Sequence, residues 1–377
     1  MYPSAYSTGR RAWVPAFAET PKDAIEVGLK LTPQSPPNPD TLGPRDVVIA
    51  VRSAAVGWVD LLMTSGQYQH MPEPPYCPGL EYSGEAIWVG AEVDPARVTV
   101  GDRVMVDGFV AGPRSHGAYR QSGGFASYAV IPDIAAMKVP NGFTYDQACN
   151  FLGNYETAYH CLIHCGRVQA GETVLIHGAS GATGLAAVHV AKKVGATVIA
   201  TGRSRDKLAV VQAEGADHII HTLGTTDEPV PRFRDAVKSL TGGRGVDVVY
   251  DGVGGETSLE SLRCVRFGAR FLIVGWASTP DVAKGRGQRG APRANMLPTN
   301  LIMMKGLQVL GCPTIISTKH DPSIRERRLS TVLQWANEGA LRPYVSHRFS
   351  FDQVHQAMLQ KWTGQVVGGC VLHPEHG

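Results

Sequence analysis

Between Thr173 and Gly184 the chain reads Thr-Val-Leu-Ile-His-Gly-Ala-Ser-Gly-Ala-Thr-Gly. A short apolar strand enters this run and an apolar-periodic helical segment leaves it. Glycine lets a backbone turn sharply, approach a pyrophosphate and pack helix on strand; a helix N-terminus then offers unpaired N–H groups to phosphate oxygens. The expected contacts of a dinucleotide are Gly178, Ala179, Ser180, Gly181, Ala182, Thr183 and Gly184. Ala179 stands where the strict Gly-x-Gly-x-x-Gly pattern has glycine, so the loop alone also reads as an ordinary βα turn.

The next strand end discriminates between cofactors. An NAD site places a carboxylate there to accept from the ribose 2′-hydroxyl. This chain has Thr201-Gly202-Arg203-Ser204-Arg205-Asp206-Lys207 instead. The tip lacks an acid and cations follow, and guanidinium and ammonium groups suit a 2′-phosphate. The expectation is NADPH, held by Gly202, Arg203, Ser204 and Lys207. A solvated helix start with Arg205 outward is the competing reading, and Asp206 argues for it. Val253 and Gly254, in Tyr250-Asp-Gly-Val-Gly-Gly255, and Val274 and Gly275, before Trp276, follow two later strands. Ligands of parallel sheets sit at such carboxyl ends.

The elements that must position these residues alternate regularly from about residue 150 onward. Apolar strands at Thr173–His177, Thr197–Thr201, Ala216–His221, Val246–Tyr250 and Arg270–Val274 are separated by helical patterns. Such β-α-β order with fully apolar strands predicts a parallel sheet covered on both faces. Before residue 150, short alternating runs at Arg11–Phe17, Ile25–Leu31, Asp46–Arg52, Ser83–Val89, Arg103–Val106 and Phe125–Ile131 lie between Gly/Pro turns. They predict a small antiparallel, barrel-like unit. The last ~60 residues break the alternation and are expected to rejoin that first unit.

Composition limits the function classes. Glycine is in excess, 43 of 377 residues, about 11 % against a usual ~7 %. A net charge of +3 predicts neither nucleic-acid nor anionic-membrane binding. No apolar run approaches ~18 residues, so no transmembrane helix is expected, and no signal peptide is visible. Seven scattered cysteines fit a reduced, cytoplasmic protein.

Many ordered stretches then carry a resemblance. They are Val56-Gly-Trp-Val-Asp60, Gly66-Gln-Tyr68, Pro78-Gly-Leu-Glu81-Tyr-Ser-Gly84, Gly101-Asp-Arg-Val104, Gly123-Gly-Phe-Ala-Ser-Tyr128, Thr157-Ala-Tyr159, the 171–181 run, Leu297-Pro-Thr-Asn300 and Lys305-Gly-Leu-Gln-Val-Leu-Gly311. Over nearly its whole length the chain resembles the zinc-independent medium-chain dehydrogenase/reductases, the quinone oxidoreductase and enoyl reductase group. The resemblance implies a Rossmann doubly wound parallel sheet, residues 152–313, inserted into a GroES-like β-barrel catalytic domain of residues 1–151 and 314–377. It also implies a homodimer joined through a strand near Gly306–Cys312.

The zinc alcohol dehydrogenases are the relatives to separate. Where their catalytic zinc needs Cys and His, this chain has Gly57-Trp58-Val59 and Leu80; residues 90–148, where a structural zinc needs four Cys, hold none. No metal is expected. His160-Cys161-Leu-Ile-His164-Cys165 has a ligand-like spacing, but core or interface packing is the stronger reading.

The chemistry implied is hydride transfer to an activated C=C of an enone or enoyl thioester, or to a quinone. By resemblance Tyr68 is the candidate proton donor, with an aromatic pocket wall as its alternative. Trp58, Tyr155 and Trp276 are candidate walls of the substrate pocket. Asn154 and Thr157 resemble positions near the nicotinamide ribose and carboxamide, and Asp60 reads as structural. Lys284, Arg286, Arg289 and Arg293 form a basic loop that reads as a solubilising segment or as a receiver of CoA phosphates. A competing function is an NADPH-binding sensor or structural protein with little turnover.

Overall fold

The computed structural model describes residues 6–68, 72–115, 117–222, 232–278 and 295–374. The chain divides into two compact units. One takes the described residues up to Leu152 and those from Pro343 onward; the other takes the described residues from Gly153 to Arg342.

In the second unit, six strands form one sheet in the order His218–His221, Thr197–Gly202, Thr173–Ile176, Val246–Asp251, Val265–Ile273, Gln308–Gly311. Every pairing is parallel. This is the doubly wound order, with its switch point between the first and fourth strands in sequence. The strands are apolar because both faces are covered: Val246, Val248, Val249, Phe271 and Leu272 are all fully buried.

The first unit is built on the long strand Asp46–Ala55. It pairs antiparallel with Tyr82–Val89, with Tyr128–Pro132 along its first half, and with Gly369–His373 at its end. Val345–Ser350 lies parallel beside Gly369–His373, so the C-terminal strands complete this sheet. A hairpin of Gly9–Trp13 and Lys30–Gln34 is tied on by bridges from Arg11 to Ala126 and from Val14 to Tyr76.

Two differences from the sequence reading, at Ile25–Leu31 and at residues 314–342, have identifiable causes. Ile25–Leu31 is not a continuous strand. Thr20 accepts from the Asp23 N–H at 3.2 Å, Pro21 takes a first helical position, and a wide turn over Ala24–Gly28 closes with Leu29 N–H to Ala24 O at 3.2 Å. The strand begins only at Lys30. Trp58–Thr64 is helical, its first turn held by Asp60 accepting from the Gly57 N–H at 2.9 Å. The segment expected to leave the inserted unit at residue 314 stays in it up to Arg342. The helix Ser323–Asn337 explains this. Arg325 and Arg328 pair with Glu156 at 2.9 and 2.8 Å, and Trp335 packs on Tyr159 with ring centroids 5.6 Å apart. Both partners lie on the helix Leu152–Tyr159, which opens the unit. No helix among the described residues is long and apolar enough to cross a membrane.

Candidate functional site

The exit of the first parallel strand forms a tight backbone cradle. Gly178 has φ +63°, a region that L side chains rarely adopt, and Gly181 N–H returns to Gly178 O at 3.0 Å. A Cβ at Gly184 would stand 2.3 Å from Gly178 O and 2.8 Å from Ala179 Cα, so only glycine lets the helix approach the loop. Ala179 is fully buried and its N–H reaches Thr201 O at 3.3 Å; the missing glycine of the strict pattern is an inward methyl group here. The helix Ala182–Lys193 starts at Gly181 without a side-chain cap and without an acid in its first turn. Those amides are the anion-binding end of a helix. Thr183 Oγ1 donates to Asn154 Oδ1 at 2.9 Å, bringing together two residues that the sequence named separately. Thr157 lies on the same helix as Asn154, partly exposed.

The second strand exit carries the cations. Arg203 is exposed and Lys207 half-buried, one turn into the helix Arg205–Ala213. Ser204 caps that helix, its hydroxyl accepting from the Lys207 N–H at 3.4 Å. Burial, and then the charge of Arg203, push the Lys207 ammonium below its usual range. Gly202 O accepts from Thr222 N–H at 2.9 Å and Arg203 O from the His221 Nε2–H at 3.0 Å, fixing the backbone beneath the pair. Arg205 and Asp206 are exposed.

The fourth and fifth strand exits are joined to each other. Asp251, fully buried, accepts from the Val253 and Gly254 N–H groups, both at 2.9 Å, and from the Ser258 hydroxyl. Val274 N–H reaches Asp251 O at 2.8 Å and Gly275 N–H reaches it at 3.2 Å. Asp251 lies within the Tyr250–Gly255 motif, where an acid immediately before Gly-Val-Gly-Gly is the sequence signal for this role.

His177 is a second buried polar residue at these exits that its local sequence does not mark. It is 1 % exposed and directly precedes the Gly178 turn. Its Nδ1 lies 2.7 Å from Thr201 Oγ1 and its Nε2 2.6 Å from Ser261 Oγ. Ser261 spends its only proton on Thr257 O at 2.6 Å, so Ser261 accepts from Nε2–H. Burial pushes the ring's pKa down to about 4, which keeps it neutral and leaves Nδ1 to accept from Thr201.

In the first unit, Asp60 is 1 % exposed and accepts from the N–H groups of Gly57 at 2.9 Å, Leu80 at 3.1 Å and Gly79 at 3.2 Å. Burial raises its carboxyl to about 6 against the lowering pull of those donors. It clamps the Pro78-Gly-Leu-Glu81 loop to the helix Trp58–Thr64. Trp58 stacks on Trp362, centroids 5.2 Å apart and planes 12° apart, at the edge of that unit's core. Tyr68 is partly exposed, just beyond the same helix.

The expected pocket aromatics of the second unit separate. Trp276 is 44 % exposed. Tyr155 is not a wall: it is 2 % exposed, with its hydroxyl 2.7 Å from His189 Nδ1 and its ring stacked on that imidazole. The helix Leu152–Tyr159 turns Asn154 toward Thr183 and Tyr155 toward His189, so adjacent residues serve different places. In the ligand-like run, His160 and Cys161 are buried, and His160 lies 3.5 Å from both Cys165 Sγ and Arg328 Nη1. Among the described residues no three His, Cys, Asp or Glu side chains are grouped as metal ligands. The basic loop with Lys284, Arg286, Arg289 and Arg293 lies outside the described residues.

Residues 182–325 match the family described as zinc-binding dehydrogenase, and residues 43–141 match the alcohol dehydrogenase GroES-like domain. A quinone oxidoreductase-like protein 2 homolog of Nematostella vectensis is 32 % identical over 96 % of this chain and 90 % of its own length. A probable oxidoreductase of Mycobacterium abscessus has a similar structure: TM-score 0.76 and 26 % identity, covering 98 % of this chain and 99 % of that one. The quinone oxidoreductase of Thermus thermophilus, described with its NADPH complex, shares the fold at TM-score 0.72 and 24 % identity, over 97 % of this chain and 99 % of that one. With Gly57-Trp58-Val59 and Leu80 standing where zinc ligands would be needed, the chain belongs to the zinc-independent medium-chain dehydrogenase/reductases, in their quinone oxidoreductase group.

Proposed function

We propose that this chain is an NADPH-dependent reductase of an activated C=C, in an enone or enoyl thioester, or of a quinone, working without zinc. The observation that carries this reading is the second strand exit: Arg203 and Lys207 stand at the tip where an NAD site has its acid. The uncapped helix start at Gly181, with a loop that a Cβ at Gly184 would block, fits a pyrophosphate. When bound, the cofactor supplies the hydride.

The chain's own residues then bind, orient and protonate. The loop from Gly178 to Gly184, with the amides at the start of the helix Ala182–Lys193, holds the phosphates, and Gly202, Arg203, Ser204 and Lys207 hold the 2′-phosphorylated ribose. Asn154, ordered by Thr183, and Thr157 serve the nicotinamide half, with Val253, Gly254, Val274 and Gly275. Trp58 and Trp276 are the remaining proposed aromatic contacts of substrate. Tyr68 donates a proton to the reduced acceptor, a role for which a phenol is suited. The enzyme works as a homodimer. The edge strand Gln308–Gly311 supports this, with Phe267 75 % and Met303 75 % exposed in the same unit.

Loss of 340-nm absorbance with quinone and enone panels tests the activity, and Tyr68→Phe tests the proton donor. The variant should lower kcat by about 100-fold with KM for NADPH unchanged. An unchanged kcat removes the donor role and leaves Tyr68 a wall. Tight NADPH binding with no turnover on either panel would overturn the enzyme reading.

A further inference from the structure

We infer that His177 is a positioning residue for the dinucleotide, setting the span between the pyrophosphate loop and the 2′-phosphate cations; this rests on the proposed use of NADPH. The ring stands at the switch point of the parallel sheet. Its own N–H reaches Tyr250 O at 3.1 Å, the last backbone link between the first and fourth strands. One residue later the chain turns at Gly178 into the phosphate loop.

From that place the imidazole reaches the second strand exit and the far end of the helix that follows the fourth strand. Nδ1 accepts from Thr201, the last-but-one residue of the second strand, just before Gly202 and Arg203, and the Thr201 carbonyl receives Ala179 N–H at 3.3 Å. The loop and the cation-bearing tip are thus bonded twice, once through the backbone and once through the ring. Nε2–H donates to Ser261, which closes the helix Glu256–Ser261. Ser258 of that helix donates to Asp251, whose carboxylate shapes the Val253 and Gly254 turn. Only a neutral imidazole offers one acceptor and one donor on opposite edges of a ring this size. Phe233, 5.3 Å away, closes over it.

The two arms of the ring can be tested apart. Asn places an amide atom near Nδ1 and so keeps the Thr201 arm; Gln reaches the position of Nε2 and keeps the Ser261 arm. His177→Gln should weaken NADPH binding by about tenfold or more, the cost of a buried hydroxyl left without its acceptor. It should weaken NADH binding less, so the NADPH/NADH preference falls, while KM for the acceptor stays. His177→Asn should restore much of the preference. Thr201→Val, nearly isosteric, should copy His177→Gln and keeps the test open if a His177 variant fails to fold. Equal weakening of both cofactors in His177→Gln and Thr201→Val would overturn the inference, as would unchanged NADPH binding. A wild-type protein that binds no NADPH would instead overturn the proposed function itself.

Discussion

Asp60 in the first unit and His177 in the second are both buried, titratable and seated beneath a motif loop, yet they are built in opposite senses. Asp60 only accepts. It gathers three backbone N–H groups from one helix start and one neighbouring loop, and its reach is local. His177 accepts on one edge and donates on the other, and joins three strand exits that lie far apart in sequence. Burial raises the carboxyl of the first and lowers the pKa of the second, since in each case it disfavours the charged form. A carboxylate thus suits the closing of one loop, whereas a neutral imidazole suits the spacing of several.

The largest effect expected from this contrast is on stability. Asp60→Ala leaves three N–H groups without their acceptor in an interior position, and should cost about 3 to 5 kcal/mol in urea unfolding. His177→Gln, which keeps one arm, should cost clearly less. A loss of under 1 kcal/mol for Asp60→Ala would mean that Asp60 is no clamp.

The second effect is the pH dependence, and its signs are opposite. His177 has a folded pKa of about 4, below the ordinary value near 6.5. The unfolded chain therefore binds more protons between those values, and stability falls as pH drops through that window, by about 3 kcal/mol in all. Asp60, at about 6 against an ordinary ~3.9, binds more protons when folded, so its share of stability falls as pH rises from about 4 to 6. The two slopes partly cancel in the wild type. Asp60→Asn should therefore make the protein more acid-labile between pH 6 and 4 than wild type, and His177→Gln less so. Slopes changing in the same direction in both variants would break the comparison.

A smaller effect separates the cations. Arg203→Ala and Lys207→Ala should each weaken NADPH binding by about tenfold, the order of a lost charge-assisted contact, and leave NADH binding nearly unchanged. Arg203 is exposed and Lys207 half-buried, so raising the salt concentration should weaken the Arg203 contact more.

Much of this architecture was legible in the sequence. The parallel strands were short, fully apolar runs, and the Gly178, Gly181 and Gly184 spacing marked the tight turn proposed to hold the phosphates, because periodicity and glycine report backbone needs directly. What stayed hidden was the hydrogen bonding of buried polar side chains. His177, Ser261 and Thr201 are 84 positions apart at most, and nothing in their local spacing says that they meet. Tyr155 was misread as a pocket wall because composition does not reveal which face of a helix a tyrosine takes; His189, two turns along another helix, decides it. The tail to Arg342 was assigned to the wrong unit because its anchor is a buried Glu156 with two arginines, a charge pairing that hydrophobic pattern does not register.

The central claim is that the Arg203–Lys207 tip selects a 2′-phosphorylated dinucleotide for a reductase. Titrating the purified protein with NADPH and with NADH by fluorescence, then following 340-nm absorbance after adding a quinone or an enone, tests it most directly. The account predicts NADPH binding at least about tenfold tighter and oxidised on addition of acceptor. Tighter binding of NADH would contradict it.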